Sequence, residues 1–321
     1  MRLLSAVPFL LAAAFCSLAL AQSYPAKAVR IVIPYPPGGG ADTLGRPIAQ
    51  KLSERWGQPV PVDNRGGASG MIGADIVAKS APDGYTVLLC SSAEVALNVA
   101  LFQKMSYDPL RDFTPVTLLA AAPLILVAHP SLPAGDIREF VALVMRRPGE
   151  IGYATAGTGS PQHITGEWMR MLGGVNMIHV PYKGGGPQLT DLLGGSVHTG
   201  FLALPISLPH LAAGKLRALA VSTAARTPAA PQVPTLAESG FAGLDVSQWW
   251  GVLVPSGTPA EIVARLHADI AETIRLPDIR ANMTKLGAEP SGMPSAQFGA
   301  YLHTEVAKFR KIVSDAGIKP Q

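Results

Sequence analysis

Short apolar runs alternate with amphipathic segments along most of this chain. The first run, residues 29–33, is rich in β-branched residues, which predicts a strand buried on both faces. In the segment after it, apolar residues recur at every fourth position. These residues are Leu44, Ile48, Leu52 and Trp56. Their spacing predicts an amphipathic helix, which Asp42 or Thr43 can cap and which ends at Gly57.

The alternation of strand and helix patterns continues and sets the expected fold class. Further strands are predicted at residues 60–62, 85–89, 123–130, 151–154, 197–203, 216–222 and 249–255. Amphipathic patterns between several of them predict helices, and everything after residue 255 is predicted to be helical. Such alternation is typical of α/β proteins with parallel sheets. The 321 residues suffice for two domains of this kind.

Two of the predicted strands end in loops rich in glycine. Residues 34–43 contain three prolines and three glycines, and residues 155–160 read Thr-Ala-Gly-Thr-Gly-Ser. Each loop leads into a predicted helix, whose N-terminus has unpaired N–H groups and a partial positive charge. Both loops are therefore candidate anion sites, with an ordinary tight turn as the alternative for the first. The first loop lacks the spacing of either glycine-rich nucleotide-binding motif.

The N-terminus has the pattern of a secretory signal peptide. Arg2 precedes an apolar run over residues 3–20, and Ala19-Leu20-Ala21 has small residues where a cleavage site needs them. We expect residues 1–21 to be removed, with a retained anchor helix as the alternative. Cys16 does not indicate a lipoprotein, because Phe15 stands where a small side chain is required. The sequence thus predicts an exported protein.

Composition narrows the classes of function. After removal of residues 1–21, Cys90 is the single cysteine, so no intramolecular disulfide can form. The net charge of +4 is small and scattered, which argues against a nucleic-acid partner. The seven histidines lack the spacing of a metal site, and no stretch beyond the signal is long and apolar enough to span a bilayer. We expect no metal and no cofactor.

A set of short motifs occurs in order along the chain. They read Pro-Tyr-Pro-Pro-Gly-Gly-Gly-Ala-Asp at 34–42, Asn-Arg-Gly-Gly-Ala-Ser-Gly at 64–70, Val-Pro-Tyr-Lys-Gly-Gly-Gly-Pro at 180–187 with Asp191-Leu192, Leu-Ala-Val-Ser at 219–222, Val-Pro-Thr at 233–235 with Glu238, Trp250-Gly251, and Pro-Ser-Gly-Thr-Pro at 255–259. Together they resemble the Bug family, the periplasmic solute-binding proteins of tripartite tricarboxylate transporters. The chain departs from the family pattern at Tyr35, Gly66 and Leu202, where Phe, Pro and Asp are usual.

The resemblance implies a type II periplasmic-binding-protein fold, in which two α/β lobes joined by two crossing strands close on a ligand in the cleft between them. One lobe would comprise residues 22–122 and 251–321, the other residues 123–250, with crossings near 123–129 and 249–255. It also implies a monomer in the periplasm that captures a small carboxylate and delivers it to integral-membrane transporter subunits.

Loop positions together with the resemblance give the expected ligand-binding residues. They are Tyr35, Gly39, Gly40, Ala41, Asp42, Thr43, Ser91, Ser92, Thr155, Gly157, Thr158, Gly159, Ser160, His163 and Phe201. We expect neutral N–H and O–H donors, and no arginine, to hold the carboxylate. Alternatives stay open at six positions, because Asp42, Thr43, Thr158 and Ser160 can be helix caps, Tyr35 can lie in the core and His163 can be structural. Lys183 and Asp191 are expected to form an ion pair.

The alternative function is an exported hydrolase. Ser160, His163 and Asp191 supply the residue types of a nucleophile, a base and an orienting group. Ser160 and His163 are only three residues apart at one predicted helix start, however, and no Gly-x-Ser-x-Gly motif surrounds the serine. We therefore expect no enzyme activity.

Overall fold

The computed structural model describes residues 24–318 and residue 320, so the predicted signal peptide lies outside the described residues. The strands are β1 (Arg30–Ile33), β2 (Val62–Asn64), β3 (Thr86–Ser91), β4 (Phe113–Ala128), β5 (Gly152–Thr155), β6 (Ile178–Pro181), β7 (Thr199–Ala203), β8 (Arg217–Val221), β9 (Ser247–Pro255) and β10 (Glu289–Met293). The α-helices are α1 (Gly40–Trp56), α2 (Met71–Ala78), α3 (Asn98–Leu101), α4 (Ile137–Arg146), α5 (Pro161–Gly173), α6 (Gly185–Leu193), α7 (Leu204–Ala212), α8 (Ala260–Arg275), α9 (Pro277–Lys285) and α10 (Ser295–Asp315). A π-helical turn, Ala93–Leu97, joins β3 to α3.

The strands form one continuous path whose order is β2-β1-β3-β9-β4-β7-β5-β6, with β8 and β10 paired to β4. The first sheet combines parallel β2, β1 and β3 with antiparallel β9 and the first part of β4. The second sheet combines parallel β7, β5 and β6 with the last part of β4. The two α/β lobes confirm the predicted fold class, although the sheets are mixed and not purely parallel.

Strand β4 belongs to both sheets. Residues Phe113 to Pro123 pair with β9, and Leu124 to Ala128 pair with β7. Strand β4 therefore changes sheet between Pro123 and Leu124. Strand β9 pairs with β4 over its full length, from Ser247 opposite Pro123 to Pro255 opposite Phe113.

Side chains alternate between two cores on either side of the first sheet. Ile31 and Ile33 pack with α1, α8 and α9, whereas Val32 between them packs with α2 and α10. Residues Leu124 to Ala128 of β4 likewise alternate between the two cores of the second sheet. Burial on both faces explains why these strands read as continuous apolar runs.

The prediction of helices alone after residue 255 is wrong. Strand β10 lies between α9 and α10 and pairs antiparallel with β4, with Glu289 opposite Ala121. Its sequence, Glu-Pro-Ser-Gly-Met, has none of the alternation that identifies a strand. Within the described residues, no helix combines the length and apolar character needed to cross a membrane.

Candidate functional site

Helix α1 begins earlier than its apolar spacing suggests. Gly39 is its N-cap residue and no side chain caps it, so the prediction that Asp42 or Thr43 is the cap is wrong. The preceding Gly38 has φ +85°, a conformation that side chains disfavour. Gly40 lies so close to Trp250 that an added Cβ would come within 2.3 Å of the indole Cζ2. This contact, which is invisible in sequence, fixes the start of the helix against β9.

Asp42 holds the loop before α1 in place. Its carboxylate accepts hydrogen bonds from Gly38 N–H at 3.1 Å, Asn64 Nδ2 at 3.1 Å and Arg46 Nε at 2.9 Å. Burial alone would raise the pKa of Asp42, but the hydrogen bonds from Arg46, Gly38 and Asn64 hold it below its ordinary value. Both carboxylate oxygens are thus engaged within the protein, and the charge is balanced by Arg46.

Helix α5 begins at the second glycine loop, and Ser160, for which a helix cap was the open alternative to ligand contact, is its N-cap residue. Ser160 Oγ accepts the His163 N–H at 3.2 Å and donates to the Gly157 carbonyl at 2.7 Å. Thr155 Oγ1 lies 2.7 Å from His179 Nε2 and accepts the Gly157 N–H at 3.2 Å. The hydroxyl groups of Thr155 and Ser160 are therefore occupied within the protein.

A third glycine loop, at the start of α6, meets the first loop from the other lobe. A Cβ on Gly39 would lie 3.7 Å from Gly185 N, and a Cβ on Gly186 would lie 2.4 Å from the Pro37 carbonyl oxygen. In addition, Ser69 Oγ donates to the Thr158 carbonyl at 2.6 Å. The two lobes are thus in contact on both sides of the cleft.

The cleft between the lobes encloses about 480 Å³, its open mouth included. Seven expected residues line it, namely Tyr35, Gly39, Gly40, Ala41, Asp42, Ser91 and Ser160. The remaining lining residues, which sequence reasoning missed, are Pro36, Ala156, Pro161, Gln162, Gly185, Ala203, Ile206, Gln248 and Trp250. The glycine run at 184–186 is visible in the sequence and could have indicated Gly185. Gln248 and Trp250 lie on an antiparallel strand, whereas ligand contacts were expected only beyond the carboxyl ends of parallel strands.

The other expected residues lie outside this lining. They are Thr43, Ser92, Thr155, Gly157, Thr158, Gly159, His163 and Phe201. His163 stacks on His179 with ring centroids 4.1 Å apart, and burial lowers the pKa of both rings, that of His179 to about 3. Phe201 is fully buried in the core of the second sheet. His163 and Phe201 therefore support the walls and do not form them.

The first turns of α1, α5 and α6 all contribute lining residues. Helix N-termini present N–H groups without intrahelical acceptors and favour anions. The lining contains no lysine or arginine, and its single charged residue, Asp42, is paired with Arg46. The cleft is suited to an anion held by neutral donors.

A hydrolytic triad is not assembled. Ser160 Oγ–H donates to a backbone carbonyl, and His163 Nδ1 faces Gly159 N–H at 3.4 Å. Asp191 accepts the Tyr182 hydroxyl at 2.8 Å, and none of the ion pairs found among the described residues joins it to Lys183 as expected. In the same part of the chain, no cluster of three His, Cys, Asp or Glu side chains could hold a metal ion.

Comparison with known proteins gives a consistent result. A family model described as "Tripartite tricarboxylate transporter family receptor" matches residues 44–318. Protein BugT of Bordetella pertussis is 36% identical over 320 residues, which cover 99% of this chain and 98% of BugT. The structure of R. palustris Rpa4515 with adipate superposes with a TM-score of 0.90 at 38% identity, covering 93% of this chain and 100% of that one. The structure of MatC from Rhodopseudomonas palustris with bound malate superposes with a TM-score of 0.86 at 33% identity, covering 90% of this chain and 100% of that one.

Proposed function

We propose that this chain, which belongs to the tripartite tricarboxylate transporter receptor family, captures a small carboxylate in the cleft between its lobes. The family consists of solute-binding receptors and gives no support to the hydrolase alternative. The observation that carries the proposal is the convergence of two helix N-termini without side-chain caps, those of α1 and α6, on a cleft that no lysine or arginine lines. The solved relatives with adipate and malate support the ligand class.

The carboxylate would bind mainly at the start of α1. The first N–H groups of this helix, at Gly40 and Ala41, have no intrahelical acceptor, and no side chain caps them. Gly185, from the opposite lobe, brings a second helix start to the same cleft. Hydrogen bonds to a charged acceptor are shorter and stronger than neutral ones, so backbone donors are sufficient. Contacts to both lobes would favour the closed arrangement.

The domain division follows the strand pairing. We propose that residues 24–122 and the part after residue 246 form one lobe, and that residues 123–246 form the other. The second boundary replaces the expected one at 250, because Ser247 to Trp250 pair with the first sheet. With two connections between lobes, a hinge at Pro123 and before Ser247 would allow closure.

Partners and location follow from the family. Its members are periplasmic receptors, and we propose that this one hands its ligand to the membrane subunits of a tripartite transporter. Export through cleavage after Ala21 and a monomeric state belong to the same proposal.

A matched pair of variants tests the site. Ala41 and Ala296 are each the second residue of a helix, but Ala41 lines the cleft and Ala296 is exposed. Ala41→Asp would place a carboxylate at the α1 N-terminus and displace the ligand, whereas Ala296→Asp adds the same charge elsewhere. Ligands for the test come from a thermal-shift screen of mono-, di- and tricarboxylates, in which a ligand at 100 times its Kd stabilises by about 2.7 kcal/mol.

We expect Ala41→Asp to weaken binding at least tenfold and Ala296→Asp to leave it unchanged, as measured by titration calorimetry. A screen in which no carboxylate stabilises the wild-type protein would overturn the proposed ligand class. Equal affinity of the two variants for the ligand would show that the carboxylate does not bind at the start of α1.

A further inference from the structure

The motif at residues 64–70 contributes nothing to the cleft lining, yet it contains two strained residues in succession. Ala68 and Ser69 have φ +47° and +54°, and no other non-glycine residue in the described part of the chain has a positive φ. Side chains disfavour this left-handed region, because Cβ there comes close to the following carbonyl oxygen. Such strain persists where surrounding contacts fix the backbone, and it is concentrated at functional sites.

Contacts from both lobes fix Ser69. Its hydroxyl donates to the Thr158 carbonyl at 2.6 Å, and Thr158 lies in the lobe of residues 123–246. Its own carbonyl accepts a hydrogen bond at 3.1 Å from Nδ2 of Asn98, a fully buried residue of its own lobe. Ser69 therefore connects Asn98 to the second glycine loop across the junction of the lobes.

Gly159, the next residue of that loop, fits against the same asparagine. An added Cβ on Gly159 would lie 3.2 Å from Asn98 Oδ1 and 3.2 Å from Leu101 Cδ1, both in the opposite lobe. These distances are shorter than an ordinary van der Waals contact. The lack of a side chain at residue 159 therefore allows the two lobes to meet here.

Apolar packing between the lobes adjoins this hydrogen bond. Ile164, in α5, is fully buried in a cluster that includes Leu97 and Leu101 of the opposite lobe. The hydrogen bond between Ser69 and Thr158 is itself partly buried. A hydrogen bond in such surroundings is stronger than one in water.

We propose that Ser69, Asn98, Thr158 and Gly159 form a latch that holds the lobes in the closed arrangement, whether or not the cleft is filled. The inference rests on the lobe closure that is part of the proposed function. Closure carries two costs, namely the left-handed backbone at Ser69 and the buried Asn98 Oδ1, which has no hydrogen-bond partner. Opening relieves both, so the latch holds the lobes together without locking them.

The reaction rate of a thiol in the cleft measures opening. Ala203 lines the cleft and is 4% exposed, so Ala203→Cys, present in every variant, gives a thiol that a bulky maleimide reaches when the lobes separate. Cys90 is buried in the core, and its labelling, resolved by peptide mass spectrometry, reports unfolding. No carboxylate is added, so the outcome is independent of the thermal-shift screen that tests the proposed ligand class.

Ser69→Ala removes the hydroxyl group of the latch. We expect it to speed labelling at residue 203 about fivefold, the effect of one ordinary hydrogen bond, with no change at Cys90. Ser80→Ala is the control, because Ser80 Oγ donates to the Ile76 carbonyl at 2.7 Å within one lobe, and it should leave the rate at residue 203 unchanged. Equal rates in Ser69→Ala and Ser80→Ala, or an equal rise at Cys90, would overturn the inference.

Gly159→Ala tests the fit between the lobes. Its added Cβ would press on Asn98 and Leu101, whereas the Cβ of Gly174→Ala would meet nothing within 4 Å. The two glycines lie at opposite ends of α5 with φ +76° and +64°, so the cost to the backbone is matched. We expect Gly159→Ala to speed labelling at residue 203 at least fivefold and Gly174→Ala to leave it unchanged. The same rate in both variants would contradict the latch.

Discussion

The glycine loops before α1 and α5 look alike in sequence but differ in how they use their polar groups. The loop before α1 has no hydroxyl cap, so the first N–H groups of that helix have no side-chain acceptor. The loop before α5 contains Thr155, Thr158 and Ser160, and the hydroxyls of Thr155 and Ser160 bind the backbone of the loop. A strand–glycine–helix pattern therefore predicts an anion site only where no nearby side chain has already satisfied the helix start.

The largest expected effect comes from the first loop, where α1 rests on Trp250. Gly40→Ala would place a Cβ within 2.3 Å of the indole ring, and we expect it to lower the free energy of unfolding by up to about 3 kcal/mol. Urea denaturation measures this value. Gly299→Ala, in α10, is the control, because its added Cβ would have 3.9 Å to the nearest atom. There the gain in helix propensity should stabilise by about 0.5–1 kcal/mol. Equal effects at the two sites would show that the Trp250 contact does not position the loop.

Asp42→Asn tests the network that holds the first loop. Because the pKa of Asp42 is lowered in the folded protein, its stabilising contribution is present above its unfolded pKa and is lost as the pH falls through the folded value. We expect the variant to lose about 1.5 kcal/mol of unfolding free energy at pH 7, the contribution of hydrogen bonds to a charged group. The difference from wild type should shrink as the pH falls below the ordinary pKa of an aspartate, about 4. A difference independent of pH would point to packing and not to the charge.

Ser160→Ala tests whether the hydroxyl group in the loop before α5 stabilises the helix or binds the ligand. Loss of the N-cap should lower the unfolding free energy by about 1 kcal/mol. Ligand affinity should change less than stability, because the Ser160 hydroxyl already donates to Gly157. Thr43→Val is the control, since Thr43 lies in α1 but outside the cleft lining, and we expect changes within about 0.5 kcal/mol in both quantities. Calorimetry showing a larger loss of affinity than of stability in Ser160→Ala would assign that hydroxyl to the ligand.

Local patterns predicted most of the elements. Leu44, Ile48 and Leu52 follow one another at intervals of four residues, and this spacing predicted the buried face of α1. A helix that packs on a sheet needs such an apolar stripe. The strands that are buried on both faces could also be predicted, because their apolar runs are short and bounded by turns. Strand β10 was not predicted, because its residues do not alternate between apolar and polar and it is held in the sheet by backbone pairing with β4.

The composition of the site was harder to predict than the fold. The loop before α1 was found from its glycines, but Gln248 and Trp250 reach the cleft from β9, which is distant in sequence. The approach of Gly185 to Gly39 depends on how the lobes meet, which no local pattern records. His163 was expected among the ligand-binding residues with a structural role left open, and its stacking on His179 is a tertiary contact that no local pattern records.

The close approach of Gly186 to the Pro37 carbonyl has a genetic consequence. An added Cβ at residue 186 would lie 2.4 Å from that oxygen, and every amino acid other than glycine has a Cβ. Every missense change in this codon, including the change to alanine, would therefore push the two lobes apart. In a saturation-mutagenesis library selected for ligand uptake, codon 186 should tolerate synonymous changes alone, whereas codon 299, where an added Cβ has 3.9 Å to the nearest atom, should accept several substitutions.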